Sequence, residues 1–383
     1  MSTLQIVPVA SEADMTAFIS LPWEIYRDDP YWVPPLVSER RSFFDRGKHP
    51  FHDHAKVDYF LAKRGDRVIG RIAALVNHAH NDFHQERAAF FGAFEVLDDA
   101  EAAVALLRRA CEWARSEGMV LIRGPATFSS NEEWGLLVDG FQSPPTVLTA
   151  YNPPRYAAYI ESAGFTKAMD LLGYEIRREQ VEREPLPAKF TRAVARARRD
   201  SGIRLRSLEM RRYWEEVDQV KVIYNRAWAR NWGFVPLSDA EFERIARDLK
   251  PIIDPDLTFA AELDGRTVGF SLPLPDINEA MRLAYPNPTT PEWIALARLL
   301  WHWRLRPKIR TLRMFALGVL PEAQLREIVA LLYYQTAQIA MRKGYARTEI
   351  SWALETNAMI NPIIKAAGGR PHKRWRIYEQ ELG

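Results

Sequence analysis

One order of apolar runs, turns and helix signals occurs twice in this chain, and that repetition limits the fold more than any single motif. VDYFLAKRGDRVIGRIAALVN (57–77) reads as two strands around a Gly65-Asp66 turn, and LTFAAELDGRTVGFSLPLP (257–275) does the same around Asp264-Gly265. Each hairpin is followed by another strand-like run, AFFGAFEV (89–96) or LRMFALGV (312–319), which leads into a long helical pattern. Those helices stop at Gly118 and Gly344, since glycine supplies the left-handed backbone that ends a helix. A further strand follows in each copy. Next comes a short helix opened by asparagine and closed by glycine, NPPRYAAYIESAGF (152–165) or NAMINPIIKAAGGR (357–370), with Asn-to-Gly spacings of 12 and 11 residues. A final pair of short strands completes each copy. The agreement predicts an α/β unit, duplicated, in which a twisted mixed sheet of six or seven strands carries helices on both faces.

The polar, Pro-containing stretch REQVEREPLPAKF marks the boundary, so the expected domains are 1–182 and 183–383. The first carries an insertion at 124–151 and the second one at 276–310, both long enough to be functional loops. With 383 residues, each half can bury its own core. Cys111, the only cysteine, excludes an internal disulfide and is expected to be a buried, inert thiol. No signal peptide and no run of about eighteen apolar residues is evident, so a cytoplasmic location is expected. A net charge of +3 does not call for nucleic acid, and none is expected as a partner. Residues 299–315 combine Trp301 and Trp303 with six basic residues, the composition of an interfacial helix or an anion-binding rim. Peripheral contact with the inner membrane face through 299–315 is therefore a second expectation.

This order of elements resembles the GNAT fold, the N-acetyltransferase superfamily, and two copies per chain resemble its tandem members. Several runs are similar to the bacterial YghO-like group, which includes bacterial ceramide synthases. They are HAKVDYFLAKRGDRVIGRIAALVNHAHNDFH (54–84), FFGAFE (90–95), RGPATFSSNEEWGLLVDGF (123–141) and YNPPRYAAYIESAGF (151–165) in the first half. In the second half they are YNRAWARNWGFVPLSDAEF (224–242), PLPDIN (273–278), EISWALETNAMI (349–360) and RIYE (376–379). The resemblance implies two GNAT-like units in tandem and transfer of an acyl group from acyl-CoA, acetyl-CoA or a longer chain, to an amine.

Such chemistry needs a cradle for the cofactor pyrophosphate, donors for a developing oxyanion, and a group that removes the amine proton. In GNAT enzymes the cradle is the turn into the helix after the fourth strand, with the motif Q/R-x-x-G-x-G/A. In the second copy it would comprise Gly318, Val319, Gln324, Leu325, Arg326, Glu327 and Ile328, with side chains at the glycine positions. The first copy has Leu97-Asp98-Asp99-Ala100-Glu101 there, two carboxylates suited to capping a helix and poor neighbours for phosphate. The second copy is thus the expected donor site.

Six of the eight histidines lie in 49–84, and His54 and His80 fall in the family-like runs as candidates for acceptor binding or proton removal. Hydrogen bonding within the fold is their competing reading, and no metal is expected, because no histidine spacing is diagnostic. Glu133 is a further catalytic candidate, beside Asn131 and Trp134 as substrate-binding residues in the first insertion. Tyr159 lies near the place of the tyrosine that many GNAT enzymes use to protonate the leaving thiolate. Glu349, Ser351 and Glu355 alternate along one strand and so share a face. Glu349 and Asn357, with Asn231 and Trp232 of the aromatic NRAWARNWGF segment, are the substrate-binding candidates of the second copy. A small-molecule or lipid-like amine is the expected acceptor. A ceramide-synthase-like acylation of a long-chain amino alcohol at the membrane face is one alternative. A non-catalytic GNAT pair that binds a ligand or protein is another, and the missing glycines favour it.

Overall fold

The computed structural model describes residues 3–184, 186–200, 202–323 and 325–383, which form two compact units. In the first unit β1 (Leu4–Pro8), β2 (Ala55–Arg64), β3 (Arg67–Asn77) and β4 (Ala88–Val96) are antiparallel, each to the next. β5 (Leu121–Gly124) lies parallel to β4. β6 (Ala126–Thr127) and β7 (Glu133–Trp134) make a small hairpin of their own, and β8 (Leu136–Asp139) follows.

Neighbouring residues of β3 meet different helices. A Cβ on Gly70 would lie 2.8 Å from Leu106 of the helix Ala100–Ser116, whereas Arg71 donates to the Phe18 carbonyl of the helix Glu12–Ile25 at 2.6 Å. Successive strand residues point to opposite faces, so both faces of this sheet carry a helix. The Ala100–Ser116 helix buries Ala103, Leu106, Leu107, Ala110 and Trp113 against the sheet. Cys111 is buried there too, and burial pushes its thiol up to about 11, far from the thiolate needed for reactivity.

β9 (Thr166–Arg177) leaves the first unit after Asp170 and enters the second at Leu171. The second unit holds β10 (Arg204–Ser207), β11 (Phe259–Leu263), β12 (Arg266–Pro275) and β13 (Thr311–Val319), antiparallel each to the next. β14 (Arg347–Leu354) is parallel to β13, and Leu171–Arg177 of β9 pairs antiparallel with it. β15 (Arg370–Glu381) makes the return passage. From Arg374 onward it belongs to the first unit, where it pairs with β5 and β8. The last strand of each sequence half therefore serves the unit built mainly from the other half. The linker expected near 182 lies inside the second unit, in and after the helix Arg178–Arg183. Residues 281–306 of the second insertion belong to the first unit.

The stops read from sequence have their physical form. Gly118 and Gly344 take φ of +76° and +85° just beyond the helices Ala100–Ser116 and Leu325–Arg342. Asn357 accepts the Ile360 N–H at 3.0 Å at the start of the helix Ile360–Ala366. Asn152 does something else. Its side chain accepts the Leu137 N–H at 2.7 Å and donates to the Leu137 carbonyl at 3.1 Å, pinning β8, and the helix Tyr156–Ser162 begins without a side-chain cap.

Candidate active site

In each unit the two central parallel strands pair briefly and then part. β4 pairs with β5 only through Ala88–Phe90, and β13 with β14 only through Thr311–Met314. Each of the longer partners also carries a bulge. Three residues of β4, Ala93 to Glu95, stand where two of β3 would match, and Ala93 takes φ of +47°. In β13 the extra residue is Phe315. A bulge re-aims the side chains beyond it.

In the first unit the residue so aimed is Glu95, which lies opposite Arg71 of β3. Its carboxylate accepts the Tyr26 hydroxyl at 3.0 Å and the Tyr156 hydroxyl at 2.9 Å. Protein surrounds that carboxylate, although the residue as a whole is half-buried. Burial raises its pKa from 4.5 to about 7, against the pull of Arg71 and the two hydroxyl donors. Arg71 lies over the Phe18 ring, and burial lowers its pKa. Its buried Nε has no hydrogen-bond partner among the described residues. Glu133 faces the same place, close enough to add to the rise at Glu95 and to oppose the fall at Arg71. Arg40 donates to Glu133 at 2.8 Å and lies over Phe43. Two carboxylates and two guanidiniums thus act on one another here. Sequence reading named Glu133 and did not name Glu95, although Glu95 ends the family-like FFGAFE run. The available signal was a single acid closing an otherwise apolar strand.

Trp134 is buried, with its ring 6.2 Å from Phe90. Asn131 donates its backbone N–H to Ser129 Oγ at 3.1 Å in the preceding turn. The histidines cluster on a different network. Asn77 Oδ1 lies 3.2 Å from His54 Nδ1 and accepts the His80 N–H at 3.1 Å. His80 Nε2 meets Glu86 at 2.5 Å, Glu86 accepts from Arg123 at 2.6 Å, and Arg123 reaches Glu379 at 3.0 Å. Burial holds His80 down to about 4, so near neutrality it is an uncharged imidazole donating through Nε2–H to Glu86. Among the described residues no group of three or more His, Cys, Asp or Glu is arranged to hold a metal ion.

Tyr159 donates to Asp98 at 2.7 Å, beside the start of the Ala100–Ser116 helix. That start is already satisfied, because Asp99 accepts the Ala102 N–H at 2.9 Å and is itself held by Arg64 at 2.8 Å. The free edge of β4 is covered as well. Ala93 N–H donates to Thr127 Oγ at 3.1 Å, Val96 N–H donates to Tyr156 Oη at 2.7 Å, and Gly92 lies against the Ala126 backbone.

In the second unit, Gly318 packs under the helix Tyr213–Trp228, where a Cβ would lie 2.8 Å from Phe270 and 3.5 Å from Ala227. Val319 and Ile328 are core residues. Gln324 lies outside the described residues, Leu325 is the first helical residue, Arg326 is exposed and Glu327 half-buried. Glu349 is wholly buried, accepts from Ser351 Oγ at 2.9 Å, and lies 3.8 Å from Lys373 Nζ. Ser351 also accepts from Arg313 Nε at 3.2 Å, and burial pulls Arg313 down to about 10. Glu349 and Ser351 do share a face, as their alternation predicts, but it is an internal one. Asn231 forms the turn after the Tyr213–Trp228 helix, donating to the Trp228 carbonyl at 2.8 Å, and Trp232 beside it is half-buried.

Solved structures of tandem GNAT proteins superpose on the whole chain. One from the clavulanic acid biosynthesis pathway superposes over 100% of this chain and 99% of its own, with a TM-score of 0.55 at 15% identity. A GCN5-related N-acetyltransferase from Sphaerobacter thermophilus does so over 99% and 96%, with a TM-score of 0.52 at 13% identity. The fold is therefore that of the tandem GNAT proteins. No family model matches the chain. Protein YghO of Escherichia coli K12 is 33% identical over 377 residues, covering 96% of this chain and 93% of that protein. A bacterial ceramide synthase of Caulobacter vibrioides is 36% identical over 384 residues, covering 99% and 98%. This chain belongs to the family of YghO and the bacterial ceramide synthase.

Proposed function

We propose that the chain is an acyl-CoA-dependent N-acyltransferase in which Glu95 takes the proton from the acceptor amine. The observation that carries this is a carboxylate aimed by the β4 bulge and held by the Tyr26 and Tyr156 hydroxyls, with its pKa raised to about 7 by burial. An ordinary carboxylate is too weak a base for an ammonium group, and a raised one is better matched at neutral pH. The thioester would supply the activated acyl group: the C–N bond forms as the C–S bond breaks, coenzyme A leaves as its thiolate and is protonated to the thiol by solvent, and Glu95 holds the proton released by the amine. Tyr26 and Tyr156 fix the orientation of the Glu95 carboxylate. The acceptor we infer is a long-chain amino alcohol, supported by the match to the ceramide synthase along nearly all of both chains.

A second reading, without Glu95 as the base, places donor and transfer together in the C-terminal unit. Its β13 parts from β14 after Met314, and the first turn of its Leu325–Arg342 helix carries the exposed Arg326. In the N-terminal unit the equivalent helix start is capped by Asp99 and the strand edge is covered by Thr127 and Tyr156. A cationic side chain at a helix N-terminus suits a pyrophosphate.

Acyl transfer and acyl-CoA binding, followed separately by mass spectrometry and calorimetry, test both assignments. Glu95→Gln should lower turnover by about 100-fold or more and leave acyl-CoA affinity unchanged. Undiminished turnover removes Glu95 from the reaction. Arg326→Glu should weaken acyl-CoA binding by about 10-fold or more. Unchanged affinity moves the donor elsewhere, and no binding by the unaltered protein to acyl-CoA of any length favours the non-catalytic alternative.

A further inference from the structure

Among the described residues, exposed large apolar side chains are concentrated in one stretch of the first unit. Leu283, Tyr285, Trp293, Leu296, Leu300, Trp301 and Leu305 fall within 281–306, against Phe83, Val120, Leu148, Trp214 and Val222 elsewhere. The helix Glu292–Leu300, continued by a wider turn over Trp301–Leu305, carries most of them. Trp293 is 69% exposed, Leu296 45%, Leu300 51%, Trp301 47% and Leu305 64%. Their spacing of three, four, one and four residues keeps them on one side of the helix. Ala295, on the opposite side, is buried at 5% exposure.

The stretch is tethered to the first unit at its start. Trp23 Nε1 donates to the Pro286 carbonyl at 2.8 Å, and the Ser38 N–H and hydroxyl both donate to Glu292. Glu292 is the only acid between residues 280 and 310, so beyond it the surface is purely cationic. Arg298, Arg304 and Arg306 are exposed, with Arg304 lying over Trp303 and Arg306 over Trp301. Such arginines spread their stems over apolar surface and keep their charge at its edge.

We propose that this face, Trp293 to Leu305, is where the chain rests on an anionic phospholipid bilayer. Tryptophan and leucine on one side of a helix, with arginines at the rim, match the boundary between acyl chains and anionic headgroups. A second copy of the chain fits less well, because pairing the same face would bring three arginines from each copy together, with Glu292 already engaged by Ser38. The contact differs from the one expected over 299–315, because residues 311–314 of β13 are buried in the second unit. This inference goes beyond the transfer reaction and does not depend on it.

Sedimentation of the full chain with vesicles, which reads no turnover, tests it. On vesicles of equal parts phosphatidylcholine and phosphatidylglycerol the unaltered protein should pellet. The triple substitution Trp293→Ser, Leu300→Ser, Leu305→Ser should reduce partitioning by about 100-fold or more. The pair Arg298→Glu, Arg304→Glu should reduce it about 10-fold or more, with added salt weakening the unaltered protein in the same direction. All five positions are exposed, and circular dichroism checks that the variants fold. Three results overturn the proposal: no pelleting of the unaltered protein, equal pelleting of the triple variant, or self-association in solution that the triple variant abolishes without any vesicle binding.

Discussion

The opposed pKa shifts of three buried groups make stability depend on pH in a way that one residue can expose. Glu95 binds its proton more tightly in the fold than in the unfolded chain, with a pKa of about 7 against 4.5. Between those values the folded state holds more protons, so this contribution is full below 4.5 and is lost as pH rises through about 7. His52 and His80 act the other way. Burial holds both at about 4 against 6.5, so each favours the fold above 6.5 and ceases to as pH falls through about 4. The histidines offset Glu95 in the unaltered protein, and His372, also held down by burial, adds to their side. Relative to the unaltered protein, the glutamine variant should gain stability between about pH 5 and about pH 8, by up to about 3 kcal/mol before screening by water. Urea unfolding at both values measures it, and an equal difference at the two would show that the Glu95 carboxylate ionises as it does in water. The residue was hard to find in the sequence for a physical reason. Tyr26 and Tyr156 lie 69 and 61 positions away along the chain, and the bulge that aims Glu95 leaves no mark in the alternation of AFFGAFEV.

At the scale of elements the sequence was legible wherever local physics decides. The turns at Gly65 and Gly265 join strand pairs as read, and Gly118 and Gly344 follow their helices. Asp99, judged a capping residue from its place alone, accepts the Ala102 N–H. Legibility failed where a side chain's partner is distant. Asn152 and Asn357 look alike in sequence, yet only Asn357 bonds the first N–H of its short helix, because Asn152 is drawn to both backbone groups of Leu137. The alternation of Glu349 and Ser351 fixed that they share a face, but not that the face is internal, since that depends on Arg313 and Lys373 from other strands. The same distinction separates the two helix starts. The carboxylate-bearing loop of the first copy could be judged from its own residues, whereas the burial of Ile328 and the exposure of Arg326 depend on how the helix packs.

Duplication invites the view that each half of the chain folds alone, and the strand passages argue against it. The first unit takes Arg374–Gly383 from the far end of the chain. Within that segment Trp375, Ile377, Tyr378 and Leu382 are each at most 2% exposed. Trp375 donates to the Ala150 carbonyl at 2.9 Å, Tyr378 to Glu161 at 2.9 Å, and Leu382 N–H to the Val120 carbonyl at 2.9 Å. Losing four buried side chains at roughly 2 kcal/mol each removes about 8 kcal/mol, comparable with the whole stability of an ordinary domain, about 5–15 kcal/mol. The second unit has the converse need, because Leu171–Arg177 of β9 supplies the strand beside β14, with Tyr174 buried in its core. Residues 1–182 produced alone should therefore show no cooperative thermal transition, and neither should 183–383, while co-expression of the two should recover a folded complex. A cooperative transition in 1–182 alone, near that of the intact chain, would mean the first unit does not need β15. Recovery on co-expression matters as much as failure alone, because it separates a missing strand from a fragment cut in the wrong place. Each fragment ends in a segment that the other fragment's unit requires, and 183–383 also carries residues 281–306 of the first unit, so the exchanges can be satisfied only together.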